Sequence, residues 1–96
     1  MRDRKARDDL YERAAEAWGE DAQLTKAAEE FAELAAVVNR AQNGQADHMD
    51  IIEELVDARL MLEQLEFQLD DATVGLAFDQ AVADLEDRLE VHGDAE

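Results

Sequence analysis

Residues that cross-link or break a chain are scarce in this sequence. Its 96 residues contain no cysteine, no proline and only four glycines. The lack of cysteine excludes a disulfide framework and any metal site built from thiolates. The lack of proline, together with abundant Ala, Leu and Glu, favours helix along the whole chain. We therefore expect an all-α protein with a single domain that covers residues 1–96.

Long hydrophobic runs are missing as well. Residues 1–18 carry charges throughout and contain no apolar segment of the kind found in signal peptides. No later run is long enough to cross a membrane. We expect a cytoplasmic protein.

Basic residues are few, with 9 Lys and Arg against 26 Asp and Glu and a net charge of −17. Binding to a nucleic-acid backbone needs a basic patch, so this class of partner is excluded. The excess acid has two interpretations: an acidic interaction surface, or adaptation to the high-salt cytoplasm of a halophile, where salt screens self-repulsion. The acids are spread along the helices rather than gathered in a tail, which favours the second interpretation.

The chain divides into four predicted helices, separated by glycine and Asx residues that favour caps and turns. Short connections between long amphipathic helices indicate an antiparallel bundle of about four helices. The last helix is placed after Gly75, because Asp70, Asp71 and Gly75 interrupt the helical pattern. The predicted spans are residue 3 to Trp18, Glu20 or Asp21 to about Arg40, the residue after the N-cap Asp47 to about Leu69, and 76–91.

Apolar stripes predict which sides of the two central helices are buried. The stripes are too broad for one thin bundle to cover, so we expect a homodimer whose core contains helices of both chains. The residues expected in the core are Ile51, Leu55, Ala58 and Leu62 on the third helix, and Leu24, Ala28, Phe31, Leu34 or Ala35, and Val38 on the second.

Two pairs of carboxylates lie beside these stripes. Glu30 and Glu33 are three residues apart on the second helix, and Glu54 and Asp57 on the third. If these helices pack antiparallel, the two pairs can face each other. Four carboxylates close to a core would repel and raise one another's pKa values. A divalent cation such as Mg²⁺, which takes oxygen ligands, would remove that repulsion.

Chance is the alternative explanation of these pairs. In a chain this acidic, carboxylates three apart arise often on solvated faces, and we assign no function to one such pair, Glu63 and Glu66. A ferritin-like metal bundle would need Glu-x-x-His pairs, and neither His48 nor His92 has that spacing. A non-catalytic acidic helical interaction protein stays open as the second hypothesis.

The motifs resemble those of the MazG-like branch of the all-α nucleoside triphosphate pyrophosphohydrolases, in particular the small single-domain phage-type members. The family hallmark is E-E-x-x-E on one helix and E-x-x-D on the next. Similarity is clear from about residue 18 to 65. The matching segments are Glu29-Glu30-Phe31-Ala32-Glu33 and Glu54-Leu55-Val56-Asp57, with the flanking Trp18-Gly19, Gln23-Leu24, Lys26 and Asp57-Ala58-Arg59-Leu60-Met61-Leu62.

This resemblance implies a Mg²⁺-dependent hydrolase, in which Mn²⁺ can substitute. It would cleave an NTP or dNTP between the α- and β-phosphates and release the monophosphate and pyrophosphate. Glu29 or Glu30 would be the general base. The resemblance also implies a homodimer, or a tetramer made of two dimers. The implied metal ligands are Glu30, Glu33, Glu54 and Asp57.

Five further residues are candidates for substrate binding, each with a structural alternative. Lys26 is either a phosphate contact or the partner of Glu30 in an ion pair. Gln23 is a base contact or, as we favour, a solvated residue. Trp18 stacks on a base or, as we favour, anchors a core or interface. Arg59 and Arg88 contact phosphate or, as we favour, are solvated or ion-paired. Family members often carry several basic residues on the last helix, where this chain has Arg88 alone.

Overall fold

A computed structural model describes residues 3–95, and side chains as far as residue 93. Four α-helices fill this part of the chain, which contains no strand, so the predicted all-α fold is confirmed. None of these helices is both long and apolar enough to cross a membrane. The helices are α1 (Arg4–Trp18), α2 (Glu20–Gln42), α3 (His48–Leu69) and α4 (Asp71–Ala95).

Side-chain caps mark the starts of α1 and α3, and a glycine separates α1 from α2. The Asp3 side chain accepts a hydrogen bond from the Ala6 amide at 2.9 Å and caps α1. Gly19, at φ 87°, occupies the left-handed region and separates α1 from α2. Asp47 and Asp50 form a reciprocal capping box at the start of α3. The predicted starts of these three helices are therefore confirmed.

The predicted start of α4 is wrong, because the helix begins at Asp71 rather than after Gly75. Asp70 acts as a cap: its carboxylate accepts hydrogen bonds from the Ala72 amide and the Thr73 hydroxyl, at 3.1 and 2.8 Å. These bonds also lower the pKa of Asp70. With this cap in place, the helix continues through Gly75 to Ala95.

The two central helices, α2 and α3, form an antiparallel hairpin, and each of them buries one alanine. Ala27 and Ala58 are both buried, and residues without large side chains let two helices approach closely. Of the residues expected in the core, Ala58 is buried, whereas Leu55 and Leu62 are each 48% exposed in the single chain. The hairpin uses the neighbouring side of α3, where Met61 is buried, and leaves these leucines on the outside.

A similar shift applies to α2. Leu24 and Val38, expected in the core, are exposed, and Phe31 is half-buried. A rotation of the helix by one residue accounts for the difference, because each buried position directly precedes an expected one. The buried residues of α2 are Gln23, Ala27, Glu30 and Val37.

The single chain is extended, with a radius of gyration of 16.7 Å and dimensions of 53 × 36 × 27 Å. A compact domain of this length would have a radius of gyration of about 12 Å. The α4 helix accounts for much of the excess, because every described side chain after Val74 in α4 is exposed. The chain thus leaves large apolar surfaces on α2, α3 and α4 without an intramolecular partner.

Candidate metal centre and adjoining cleft

Three of the four predicted metal-ligand carboxylates come together in the α2–α3 hairpin. Glu30, Glu33 and Glu54 each offer one oxygen atom, and these oxygens lie within 4.8 Å of one another. Glu30 and Glu33 are one turn apart on α2, and the antiparallel α3 brings Glu54 opposite them. We call these three residues the carboxylate cluster. Asp57, the fourth predicted ligand, is exposed and does not belong to this group.

Two oxygens of the cluster are buried without a partner. Glu30 is only 6% exposed, and its Oε2 accepts no hydrogen bond. Oε2 of Glu54 is buried and unpartnered as well. Buried carboxylate oxygens in folded proteins almost always have a partner. The cluster therefore has two strong acceptors that the rest of the described chain leaves unused.

Mutual repulsion shows in the acidity of the third member. The pKa of Glu33 is raised, first by the negative charge of Glu30, then by the loss of some surrounding water, and then by the charge of Glu54. The nearby Lys26 ammonium acts in the opposite direction but does not cancel the effect. The cluster thus holds more negative charge than the surrounding residues neutralise.

Among the described residues, Lys26 is the cation paired with the cluster. Its Nζ lies 2.9 Å from Oε1 of Glu30 and 3.9 Å from Oε2 of Glu29. The bond to Glu30 raises the pKa of Lys26. The ion pair, one of the two alternatives for Lys26, is therefore present, while the Lys26 side chain stays exposed enough to reach a ligand. Glu29, the other candidate general base, is exposed and lies outside the carboxylate cluster.

An apolar cleft of about 370 Å³ adjoins this ion pair, and Lys26 is part of its wall. The cleft also contains Trp18, which is 71% exposed and thus does not anchor the core of the chain. Gln23 was expected to be solvated, and this is wrong: it is 4% exposed, and its Oε1 accepts a hydrogen bond from Gln68 Nε2. Three predicted substrate-binding residues therefore meet in one cleft. Its lining is Trp18, Ala22, Gln23, Lys26, Leu60, Met61 and Gln64.

The two candidate arginines make contacts elsewhere. Arg59 Nε lies 3.9 Å from Oε2 of Glu63, and its side chain is exposed. Arg88 Nε donates to the backbone oxygen of Asp84 at 3.4 Å, within α4. These contacts agree with the solvated or ion-paired roles that we favoured for both residues.

Glu63 has a structural role that the sequence interpretation missed. It is 8% exposed, and its Oε1 accepts from Arg7 Nε at 2.8 Å and from the Tyr11 hydroxyl at 2.7 Å. Its Oε2 lies 4.0 Å from Arg4 Nη1. The Arg7 bond is the largest cause of a lowered pKa at Glu63. We call Arg4, Arg7, Tyr11 and Glu63 the Glu63 cluster; it fixes α1 against α3.

Arg4 extends this network to the last helix. It bonds Asp8 on its own helix and Asp71 at the start of α4, each at 2.9 Å, and lies 3.5 Å from Glu66. Assigning no role to Glu63 and Glu66 was therefore wrong. The spacing of Arg4, Arg7 and Tyr11 could have indicated this role, because it places two cations and a hydroxyl on one face of α1.

No family model matches the chain, and comparisons with curated proteins and with solved structures found no match.

Proposed function

We propose that this protein is a Mg²⁺-dependent nucleoside triphosphate pyrophosphohydrolase of the MazG-like type. It would hydrolyse an NTP or dNTP between the α- and β-phosphates and so act on the nucleotide pool of a high-salt cytoplasm. One observation supports this above all: the carboxylate cluster has two buried, unpartnered oxygens, on Glu30 and Glu54. The same cluster comprises three of the acids in the E-E-x-x-E and E-x-x-D motifs on which the resemblance rests.

The donor set fits Mg²⁺, which takes hard oxygen ligands and commonly combines one or two carboxylates with water and phosphate oxygens. Glu30 and Glu54 would hold the ion with the oxygens that lack other partners, and Glu33 would join them. Asp57, one turn further along α3, stays a proposed ligand on the exposed side. When bound, Mg²⁺ would neutralise the phosphates and lower the pKa of a bound water.

The proposed roles of Glu29 and Lys26 follow from the exposure of their side chains. Glu29 is next to Glu30 in the sequence, is exposed, and has only a long contact of 3.9 Å with Lys26 among the described ion pairs, so its carboxylate can accept a proton from the attacking water. We therefore prefer Glu29 to Glu30 as the general base. Lys26 lies between the cluster and the cleft and would contact the phosphates. This contact compensates in part for the scarcity of basic residues in the rest of the chain.

A pyrophosphate-release screen across all NTPs and dNTPs, in high-salt buffer with and without Mg²⁺, tests the proposal. At least one substrate should be cleaved, and only with the metal. Glu54→Gln should lower the rate by about a hundredfold or more, since even residues behind a metal ligand are worth roughly 10- to 100-fold. Glu53→Gln is the matched control, because Glu53 is an exposed acid of the same helix. Equal rates for the two variants would show that Glu54 is not a catalytic metal ligand.

We further propose that the active protein is a homodimer, with pairing into tetramers as an extension. The exposed apolar residues support this, because soluble monomers rarely leave such surfaces in contact with water. Light scattering at micromolar protein in multimolar salt should give twice the chain mass or more; a monomer would contradict the proposal. The surfaces include Leu24, Val38, Leu55 and Leu62 on the hairpin, and Phe78, Val82, Leu85 and Leu89 on α4.

A non-catalytic acidic interaction protein is the second candidate, and the exposed apolar face of α4 favours it. Such a protein needs no metal. A thermal shift with and without Mg²⁺ at constant ionic strength distinguishes the two candidates. The hydrolase should be stabilised by Mg²⁺, because the cation binds the folded cluster; an interaction protein should be indifferent to it.

A further inference from the structure

Helix α1 is attached to the rest of the chain largely through polar contacts. Its one buried residue, Tyr11, donates a hydrogen bond from its hydroxyl to Glu63 Oε1 at 2.7 Å. Arg7 Nε donates to the same oxygen at 2.8 Å, and Arg4 lies 2.9 Å from Asp71. By contrast, α2 and α3 each bury four residues. With so little burial of its own, α1 depends on the Glu63 cluster for its position.

A single residue, Gly19, joins α1 to α2. Its φ of 87° and ψ of 153° are angles that glycine adopts readily and other residues rarely do. The space around it is open, because a side-chain carbon added at this position would meet no atom within 4 Å. The connection therefore allows α1 to turn relative to α2 without a change inside either helix.

The apolar cleft is complete only while α1 lies on the hairpin. Trp18, the last residue of α1, is part of its lining. At 71% exposure the indole is not fixed by core packing, so its place in the wall is set by the position of α1. The rest of the lining belongs to the hairpin: Ala22, Gln23 and Lys26 of α2, and Leu60, Met61 and Gln64 of α3. A movement of α1 would therefore open the cleft on one side.

We propose that α1 is a lid on this cleft, hinged at Gly19 and latched by the Glu63 cluster. With the latch made, Trp18 completes the cleft beside Lys26. With the latch broken, α1 moves away as one unit, while the α2–α3 hairpin keeps its fold and the carboxylate cluster stays assembled. The inference goes beyond the proposed function, because this movement requires neither metal nor nucleotide.

Hydrogen exchange of the full chain in metal-free, high-salt buffer tests the latch. A detached helix of 15 residues is marginal in water, so the amides of α1 exchange whenever the lid is open. Glu63→Gln should speed exchange in α1 by roughly 10- to 100-fold, the effect of losing a hydrogen bond to a charged group. Tyr11→Phe keeps the buried ring, removes only the hydroxyl and should act in the same direction. Glu53→Gln is the control, because Glu53 is an exposed acid of α3.

A core variant of the hairpin shows whether α1 opens by itself. Val37, on α2, is 1% exposed, so Val37→Ala should speed exchange in the middle of α2 and α3 by roughly tenfold. Exchange in α1 should stay unchanged, because the lid opens while the hairpin remains folded. If Val37→Ala speeds exchange in α1 as much as in the hairpin, α1 unfolds only with the whole chain and the inference is overturned.

A second pair of variants tests the link between the lid and the cleft. Leu60 and Leu24 are almost equally exposed, at 51% and 49%, but of the two only Leu60 lines the cleft with Trp18. Leu60→Ala should therefore speed exchange in α1 by roughly fivefold, and Leu24→Ala should not. Equal effects of these two variants overturn the inference. Protection of α1 that rises with protein concentration overturns it as well, because a second copy of the chain then holds α1 in place.

Discussion

Two glutamates of α3, Glu54 and Glu63, lie nine residues apart, and both are at least partly shielded from solvent. Their surroundings are opposite in charge. Glu54 faces two other carboxylates and keeps a buried oxygen without a partner. Glu63 accepts hydrogen bonds from Arg7 and Tyr11. A carboxylate taken out of water is costly unless it is paired. The Glu63 cluster finds its partners within the chain, whereas the three acids of the carboxylate cluster share one cation, Lys26, among the residues that the structure describes.

The pKa shifts of the two clusters have opposite signs. The pKa of Glu63 is lowered, so its contribution to stability is present above the ordinary glutamate pKa and is lost as the pH falls through the lowered value. The pKa of Glu33 is raised, so its charged form destabilises the fold, and stability is regained as the pH falls through the raised value. The Glu63 cluster therefore stabilises the fold, whereas the acids of the carboxylate cluster repel one another and stay close because the rest of the fold places them there.

The contrast between the two clusters should appear most strongly in the stability of a matched pair of variants. In metal-free buffer at neutral pH, Glu63→Gln should lower the free energy of unfolding by roughly 1–3 kcal/mol, because Arg7 loses its ionised partner within a mostly buried contact. Glu54→Gln should leave stability unchanged or raise it slightly, since one repelling charge disappears. Denaturant unfolding monitored by circular dichroism measures both. Equal destabilisation by the two variants would show that the clusters do not differ in this way.

The convergence of Glu30, Glu33 and Glu54 could be predicted from the sequence, because it depends only on residue spacing and on the direction of the two helices. A spacing of three residues places Glu30 and Glu33 on one face, and the short α2–α3 connection dictates an antiparallel partner carrying Glu54. Which side of each helix faces the other could not be predicted in the same way. On α2 the buried and expected stripes differ by one residue, so that Ala27 is buried and its neighbour Ala28, the expected core residue, is exposed.

The Glu63 cluster could not be predicted from one helix at a time. Arg7 and Glu63 are 56 residues apart, so their contact depends on how α1 crosses the hairpin. The start of α4 was missed for a local reason: Gly75 was interpreted as a break, while the hydrogen bonds that Asp70 accepts stabilise a helix start five residues earlier.

Salt should act on the two clusters in opposite directions. It weakens the attraction within the Glu63 cluster and relieves the repulsion among Glu30, Glu33 and Glu54. With a net charge of −17, relief of repulsion should dominate, and the melting temperature should rise from low to molar KCl. Each kcal/mol of relief corresponds to about 4–8 °C in a domain of this size. A melting temperature that stays flat over this range would argue for an acidic interaction surface instead of adaptation to salt.

Lys26 is the cation through which the chain partly neutralises its own carboxylate cluster, so its removal sharpens the comparison. Lys26→Met should strengthen Mg²⁺ binding in the absence of nucleotide by about twofold, since Glu30 Oε1 is released from an ion pair. The same variant should hydrolyse nucleotide more slowly, because a phosphate contact is lost. Lys5→Met, on the exposed surface of α1, is the control. Weaker Mg²⁺ binding by Lys26→Met would show that Lys26 supports the metal site rather than competing for it.

The raised pKa of Glu33 predicts how Mg²⁺ binding depends on pH. Protons compete with the metal for this carboxylate, so affinity should begin to fall at a higher pH than an ordinary glutamate would cause. Calorimetric titrations between pH 7 and about pH 4, which brackets the ordinary glutamate pKa, measure the trend. In Glu33→Gln the affinity should be lower at neutral pH and its decline should move to lower pH. An unchanged profile would mean that Glu33 is not a ligand.

Tyr11 provides the most direct test of the Glu63 cluster. Burial, followed by the hydrogen bond to Glu63, raises the pKa of Tyr11 to about 12. The hydroxyl therefore stabilises the fold below its ordinary pKa of about 10, and this contribution is lost as the pH rises toward 12. Tyr11 is the only tyrosine, so the absorbance of tyrosinate follows it alone. In Glu63→Gln the midpoint should fall toward 10, because the adjacent negative charge is gone; in Glu54→Gln it should not move. A midpoint near 10 in the unmodified protein would mean that Tyr11 is not held in this contact, and the fixed position of α1 on the hairpin would fail with it.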